Sequence, residues 1–424
     1  MQNIVIIGGG AGGLELAAML SRKLKKESVT LTLVDSSLKH VWKPLLHEVA
    51  TGTLSSHEDE LDYIPYANKH GFQFVFGRME KLDRDKKEIF IAPVEAKPGV
   101  DLIPARAIHY DILVMAIGSL SNDFSIPGVR EHCLFLDTLN QAEAVQKIIV
   151  NTIIQQVQIH SPEKQLNIAI VGAGATGVEL AAEIHYAINL ISHTKSTKIK
   201  LIEGRDRITP NMPERVSKSL TTYLQNLGIE VMVGEQVASV TKDAVNTVSG
   251  ETILADIKIW SAGVKADELL KTTGLEVNSI NQLVVKETLQ TTLDDSIFAI
   301  GDCAGFLQTS KTGEKKWVPP SAQAAHQQAC LLAKSLPRML KGLPLPKFKY
   351  HDYGSLITVS QYQIVGSLMG KFSSAIHIEG RLARLIYLSL HKKHQIALHG
   401  FWRVFLVTLA NALTRKGRAR LKLH

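Results

Sequence analysis

The sequence predicts an α/β fold, and three observations carry that prediction. A strand, a glycine-rich turn, a helix and a second strand open the chain over residues 3–35. The same order of elements returns over residues 167–203. The stretch from Arg381 to His424 is both basic and apolar, unlike anything before it. Together they imply two Rossmann-like units followed by a C-terminal helical region that associates with membranes. A length of 424 residues with 45% apolar and 21% charged side chains suits two or three globular domains. That balance excludes a disordered chain, a collagen-like polymer and a bare coiled coil.

Residues 3–8 (NIVIIG) read as a short buried strand, with a four-residue apolar run before Gly8. Leu14 to Lys26 reads as a helix of small and apolar residues, and Leu31 to Asp35 as the next strand. Residues 167–172 (NIAIVG), a helix from Val178 and a strand from Lys200 to Glu203 repeat the pattern about 164 residues later. A period that long marks a duplicated domain. Further strands are expected at residues 73–76, 89–92, 111–117, 230–233, 253–259 and 296–300. Residues 305–317 read as a polar surface loop, and 336–347 as a linker with three prolines. The domains expected are 1–125 and 285–350 for one nucleotide unit, 126–284 for an inserted second unit, and 351–424 for the membrane-associating region.

Gly8-x-Gly10-x-x-Gly13 sits between strand and helix. The first glycine permits the tight turn, the second lets the backbone approach a pyrophosphate, and the third lets helix and strand pack closely. The helix N-terminus adds free N–H groups and a dipole suited to phosphate. Asp35, 22 residues past Gly13, is placed to accept both ribose hydroxyls. Gly172, Gly174 and Gly177 repeat the device, with Glu203 as the acid. An acid there favours NADH over NADPH by repelling a 2′-phosphate, although Arg205 and Arg207 stand nearby to soften the preference. Two such sites in one chain point to a bound flavin and a soluble nicotinamide.

Residues 291–302 (TTLDDSIFAIGD) resemble the signature of the two-dinucleotide-domain flavoprotein disulfide-reductase superfamily, which implies that Asp302 meets the flavin's ribityl chain. Disulfide reductases of that group need paired cysteines, yet Cys133, Cys303 and Cys330 are widely spaced. The single-cysteine peroxidases place a thiol where this chain reads His40-Val-Trp-Lys-Pro-Leu-Leu-His47. Electrons must therefore leave without a thiol. Residues 42–52 (WKPLLHEVATG), 116–119 (AIGS), 121–124 (SNDF), 260–265 (WSAGVK), 318–328 (VPPSAQAAHQQ) and 421–424 (LKLH) are similar to the type II, non-proton-pumping NADH:quinone oxidoreductases, over essentially the whole chain.

That resemblance implies a respiratory NADH dehydrogenase that passes a hydride from NADH to non-covalent FAD and two electrons to a membrane quinone. It implies that Gly8, Gly10, Gly13, Asp35, Lys43 and Asp302 hold FAD, and that Gly172, Gly174, Gly177, Glu203 and Gly263 hold NADH. It places Gln323, His326 and Gln327 at the quinone, and Glu179 between nicotinamide and flavin. Gln323 and Glu179 are thus the candidate catalytic residues, and no metal is implied. Ser321 departs from the arginine expected in the closest relatives. A sulfide:quinone reductase, a ferredoxin-type reductase and a nucleotide-sensing flavoprotein stand as alternatives.

Between Arg381 and His424 lie ten Lys or Arg and no Asp or Glu, which leaves the rest of the chain at net −2 within a total of +8. Charge confined to a tail rich in Leu, Phe and Trp argues for an anionic lipid surface and against nucleic acid. His399 and Arg403 interrupt the apolar run, so lying in the interface is favoured over spanning. A monotopic protein on the cytoplasmic face of a bacterial inner membrane is expected, with a homodimer as the other use of the same apolar faces.

Overall fold

The computed structural model describes residues 2–25, 27–54, 61–158, 165–191, 197–310, 313–359, 363–369, 375–379, 395–396, 398 and 400–414. The elements that build the sites are, in chain order, β1 (Gln2–Ile7), α1 (Ala11–Lys23), β2 (Val29–Asp35), α2 (Leu46–Thr51), β3 (Gln73–Phe76), β4 (Ile112–Met115) and α3 (Leu139–Gln158). They continue with β5 (Leu166–Val171), α4 (Ala175–Ile191), β6 (Thr197–Glu203), β7 (Glu230–Val233), β8 (Ile257–Trp260) and β9 (Ile297–Ala299). Beyond these lie β10 (Ala304–Thr309), β11 (Lys315–Trp317), α5 (Ala322–Met339), β12 (Gly354–Val359) and α6 (Phe401–Thr414).

The chain forms two compact units. One comprises Met1–Lys43, Asp59–Leu120 and Val264–His351; the other comprises Pro44–Glu58, Ser121–Gly263 and Asp352–His424. In the first unit, five parallel strands run in the order β9, β4, β1, β2, β3. Their apolar runs are buried on both faces, as in Ile4, Ile6, Leu33 and Leu113. Strand order reverses at β1, which opens a crevice beyond the ends of β1 and β4. Such a crevice is where α/β sheets bind ligands. In the second unit the order is β7, β6, β5, β8, with the same reversal at β5. Its core includes Val171, Ile202, Val245 and Trp260.

Four expectations need correction, three of them before residue 350. Residues 305–317 are not a loop: β10 and β11 pair antiparallel there, Leu307 opposite Trp317. The stretch read as one strand over 253–259 breaks after Leu254, and β8 begins at Ile257. The break is pinned where Asp256 accepts from the Asn167 backbone N–H at 2.9 Å and the Ala255 N–H reaches the Asp243 carbonyl at 3.0 Å. The expected linker at 336–347 begins too early, because α5 runs through Pro337 to Met339. Proline cannot donate to the carbonyl four residues back. Lys23 of α1 donates to that carbonyl, Ala333, at 2.9 Å instead, so the helix continues without an orphaned acceptor.

The C-terminal region, expected to be helical, opens with three antiparallel strands, β12 followed by Gln363–Met369 and Ala375–Glu379. Along the end of β12, buried Ile357 and Val359 flank a less buried Thr358, the period of a one-sided strand. Helix follows at α6. The tail residues Arg381, Arg384, Leu385, Ile386, Leu388, Leu390, Lys392, Lys393 and His399 lie outside the described residues, as do residues 415–424.

Candidate functional site

The two glycine turns are near-identical in backbone geometry. Gly8 and Gly172 both take φ +99°, a conformation that a side chain rarely adopts. A Cβ on Gly8 would stand 2.3 Å from the Ala116 carbonyl oxygen, and one on Gly172 would stand 2.6 Å from the Ala262 backbone. A Cβ on Gly13 would lie 1.9 Å from the Gly8 oxygen, and one on Gly177 1.9 Å from the Gly172 oxygen. At Gly10 and Gly174 a Cβ would meet nothing within 4 Å. The outer glycines are therefore demanded by the protein itself, whereas the middle ones face open space.

Each turn is clasped by its acid in the same way. Asp35 Oδ2 accepts from the Gly9 N–H at 2.6 Å, and Oδ1 from the Ser37 N–H at 2.7 Å. Glu203 Oε2 accepts from the Ala173 N–H at 2.9 Å, and Oε1 from the Arg205 N–H at 3.1 Å. Burial holds the Asp35 carboxyl above its ordinary value against the pull of those N–H donors. In the first unit the Gly9 carbonyl is held too, by the Tyr63 hydroxyl at 2.7 Å and His40 Nδ1 at 2.9 Å. Arg207 donates to the Met212 and Pro210 carbonyls and the Ser217 hydroxyl, at 2.7–3.1 Å. Its guanidinium is committed to that turn, which leaves Arg205 as the exposed arginine beside Glu203.

Lys43 and Asp302 meet through Ser119, which the sequence reading quoted but gave no role. Lys43 Nζ donates to the Ser119 carbonyl at 2.8 Å, and the Ser119 hydroxyl donates to Asp302 Oδ2 at 2.8 Å. Gln282 fixes the Asp302 carbonyl from behind at 2.8 Å. The carboxylate keeps a second oxygen and partial exposure, as an acceptor for a sugar hydroxyl needs. In the second unit, Gly263 takes φ +63°, and a Cβ there would stand 2.6 Å from the Phe124 ring. Packing against Phe124 thus demands glycine at 263 whatever it binds.

Glu179 lies on α4 in a buried acid cluster. Its Oε1 accepts from the Thr358 N–H at 3.0 Å, and its Oε2 stands 3.7 Å from His47 Nδ1. Burial pushes Glu179 up to about 8 and, one turn on, Glu183 up to about 7. Burial also pushes His47 down to about 4. At pH 7 the His47 contact is therefore a meeting of two predominantly neutral groups and not an ion pair. His47 carried no functional reading in the sequence, since nothing local links it to Glu179.

The α5 residues have distinct surroundings. Ser321 is the N-cap, its hydroxyl accepting from the Ala324 N–H at 3.2 Å, a role that arginine lacks. Gln323 stands half-buried in the first turn. His326 Nδ1 meets buried Glu15 of α1 at 2.6 Å. Gln327 donates to the His351 carbonyl at 2.8 Å and accepts from its N–H at 3.0 Å, so both ends of its amide are occupied by backbone. Glu15 was missed; its signal was an acid within an otherwise small and apolar helix. In α6, Phe401, Trp402, Phe405, Leu406 and Leu409 are all exposed and share one face, while Val404 is buried. Among the described residues no helix is long and apolar enough to cross a membrane.

The pyridine nucleotide-disulphide oxidoreductase family model matches residues 2–329. A type II NADH:quinone oxidoreductase of Haemophilus influenzae is 41% identical over the full length of both chains. One of Staphylococcus aureus is 28% identical over 87% of this chain and 90% of its own. Among solved structures, NDH2 of Plasmodium falciparum in complex with NADH superposes at TM-score 0.82, with 20% identity over 99% of this chain and all of the other.

Proposed function

The chain belongs to the pyridine nucleotide-disulphide oxidoreductase family and, within it, to the type II NADH:quinone oxidoreductases, and on that premise we propose that it oxidises NADH and reduces a membrane quinone without pumping protons. The observation that carries this reading is the pair of matched glycine cradles, each clasped by a carboxylate, in a chain with no cysteine pair to carry electrons onward. FAD, when bound, would supply the two-electron redox chemistry between nicotinamide and quinone.

The protein's residues bind, orient and hold protons. Gly8, Gly10 and Gly13 open the first cradle to the flavin's pyrophosphate, with Asp35, Lys43 and Asp302 on its sugars and linker. Gly172, Gly174 and Gly177 do the same for NADH, with Glu203 on the ribose and Gly263 at the adjoining strand end. Glu203 disfavours a 2′-phosphate, and Arg207, bound to its own turn, does little to offset that. Glu179 enters the reaction as a predominantly neutral acid at pH 7, because burial favours its protonated form. Gln323, with His326 and Gln327 on the same helix, is assigned to the quinone. The domain assignment follows: residues 1–125 and 285–350 for FAD, 126–284 for NADH, and 351–424 for membrane association.

The exposed α6 face supports peripheral attachment to a membrane, and the location proposed is the cytoplasmic face of a bacterial inner membrane. Phe401 and Trp402 sit at headgroup level and the leucines reach the acyl boundary, each buried side chain contributing about 1.5–3 kcal/mol. A homodimer that buries the same face is the alternative, and flotation with liposomes against sedimentation alone separates the two. Anaerobic stopped flow tests the activity: NADH should bleach the flavin, and a ubiquinone or menaquinone analogue should restore its colour. Bleaching without reoxidation by any quinone would refute the reading in favour of a nucleotide sensor.

A further inference from the structure

Glu183 has no role in the function proposed above, yet it shares the setting of Glu179. The two acids stand four residues apart on one face of α4 and are 4% and 8% exposed. The Thr53 hydroxyl bonds the Glu183 carboxyl, and Thr53 is itself half-buried just past α2. Glu183 therefore has one oxygen on a hydroxyl that reaches the surface. Its other oxygen, Oε2, is buried and has no partner among the described residues.

Two more buried atoms without a partner belong to residues that touch Glu179: Thr358 Oγ1 and His47 Nε2. Thr358 gives its N–H to Glu179 Oε1 at 3.0 Å, and His47 Nδ1 is 3.7 Å from Oε2. His47 is bonded to the Pro44 backbone, and its Nε2 stands 4.0 Å from Glu48 Oε1, beyond hydrogen-bond reach. Buried polar atoms almost always find a partner, and where the protein supplies none an ordered water does, with about three bonds. Three such atoms, all on residues that touch Glu179 or lie one turn from it, point to internal water beside its carboxyl. Few charges oppose these acids. From α2 come His47 and Glu48, and β12 brings only the Thr358 N–H and hydroxyl. β5 and β6 pack on α4 with apolar buried residues, Lys198 being exposed and Lys200 held by Glu230 at 3.5 Å. Among the described residues no lysine or arginine pairs with either acid. Burial, at about 8 for Glu179 and about 7 for Glu183, lets a proton pass between them near neutral pH.

A hydride carries two electrons and one proton, whereas a quinol gains two of each, so every turnover draws one proton from solvent. We propose that Glu183 resupplies Glu179 with that proton through internal water held against Glu183 Oε2, Thr358 Oγ1 and His47 Nε2. Once Glu179 has given up its proton, its carboxylate takes one from the bound water. The water takes the Glu183 carboxyl proton in return. Glu183 regains one from the Thr53 hydroxyl, which takes its own from solvent. One proton enters for each that leaves Glu179, only O–H bonds change, and no redox step is involved. Glu183 acts through Glu179 and is a positioning residue for the proton. The relay rests on the proposed quinone reduction, which consumes that proton.

The test uses FAD-loaded full-length protein in anaerobic stopped flow from pH 6 to 8.5, with NADH to bleach the flavin and duroquinone to restore its colour. E183Q keeps the shape of the side chain, so bleaching by NADH, which draws no solvent proton, reports that the fold is intact. Reoxidation should slow about tenfold or more at pH 8. The loss should shrink toward pH 6, where solvent protons are more abundant, and E183D should recover most of it. T53V should give a smaller loss with the same pH trend, and it carries the test if E183Q holds no flavin. Infrared titration reads the pair apart from turnover: E183Q should remove one protonated-carboxyl band and lower the pH at which the Glu179 band is lost, because a neighbouring negative charge is gone. Reoxidation equal to wild type, or slowed equally at every pH with no recovery in E183D, overturns the relay alone. Wild-type flavin that no quinone reoxidises overturns the proposed function, and the relay falls with it.

Discussion

Glu179→Gln should make the enzyme more stable as pH rises. Burial holds the Glu179 carboxyl at about 8, against 4.5 for the same group in the unfolded chain. Between those values the folded protein keeps a proton that the unfolded chain has released. Raising the pH therefore favours unfolding, and the group's stabilising share is complete below 4.5 and lost as pH passes through 8. At about 1.4 kcal/mol for each pH unit the ceiling is about 5 kcal/mol. Water entry on ionisation lowers that, so about 2–4 kcal/mol is expected. Glutamine keeps the oxygen that accepts from the Thr358 N–H and discards the titration. The assay is urea unfolding with saturating FAD from pH 5 to 8.5, read as the difference between variant and wild type, so that titrating groups remote from Glu179 cancel. The difference should move in the variant's favour across the range. A constant offset would refute the buried-acid argument, and with it the reading of Glu179 as a predominantly neutral acid at pH 7.

Asp302→Ala removes the acceptor of the Ser119 hydroxyl and the proposed sugar contact; flavin affinity should fall by about 1–3 kcal/mol, measured as FAD release by fluorescence. Gly13→Ala forces a methyl group to within 1.9 Å of the Gly8 oxygen, so purified protein should carry little or no flavin absorbance, whereas Gly10→Ala should fold and lose only affinity. NADH should exceed NADPH at least tenfold in kcat/KM, about 1.4 kcal/mol, and Arg207→Ala should not widen the gap; Arg205→Ala should. Replacing Trp402 and Phe405 together by Asp should release the protein from liposomes, with oxidation of NADH by a water-soluble acceptor retained.

The two glycine turns were legible in the sequence because their logic is local. A β-branched run, three spaced glycines and an acid at the next strand end describe one βαβ unit, and the same backbone geometry, φ +99° at Gly8 and Gly172, appears in both copies. Local pattern failed where a distant group changed the local rule. Pro337 looks like a helix terminator until Lys23 is seen to satisfy Ala333. Ser321 looks like a lost arginine until its hydroxyl caps α5.

The chemistry of the sites depended on partners far apart in the chain. Ser119 meets Asp302 across 183 residues, Thr358 meets Glu179 across 179, and His326 meets Glu15 across 311. A titratable group takes its charge from burial and from its neighbours, and neither is written in the residues beside it. Composition and spacing thus determined that two dinucleotides could bind and that no cysteine pair could relay electrons. Only tertiary packing, around α4 in one unit and around α5 in the other, decided that Glu179 is held as a predominantly neutral acid at pH 7, that His326 is held as a cation, and that of three cysteines one faces that cation.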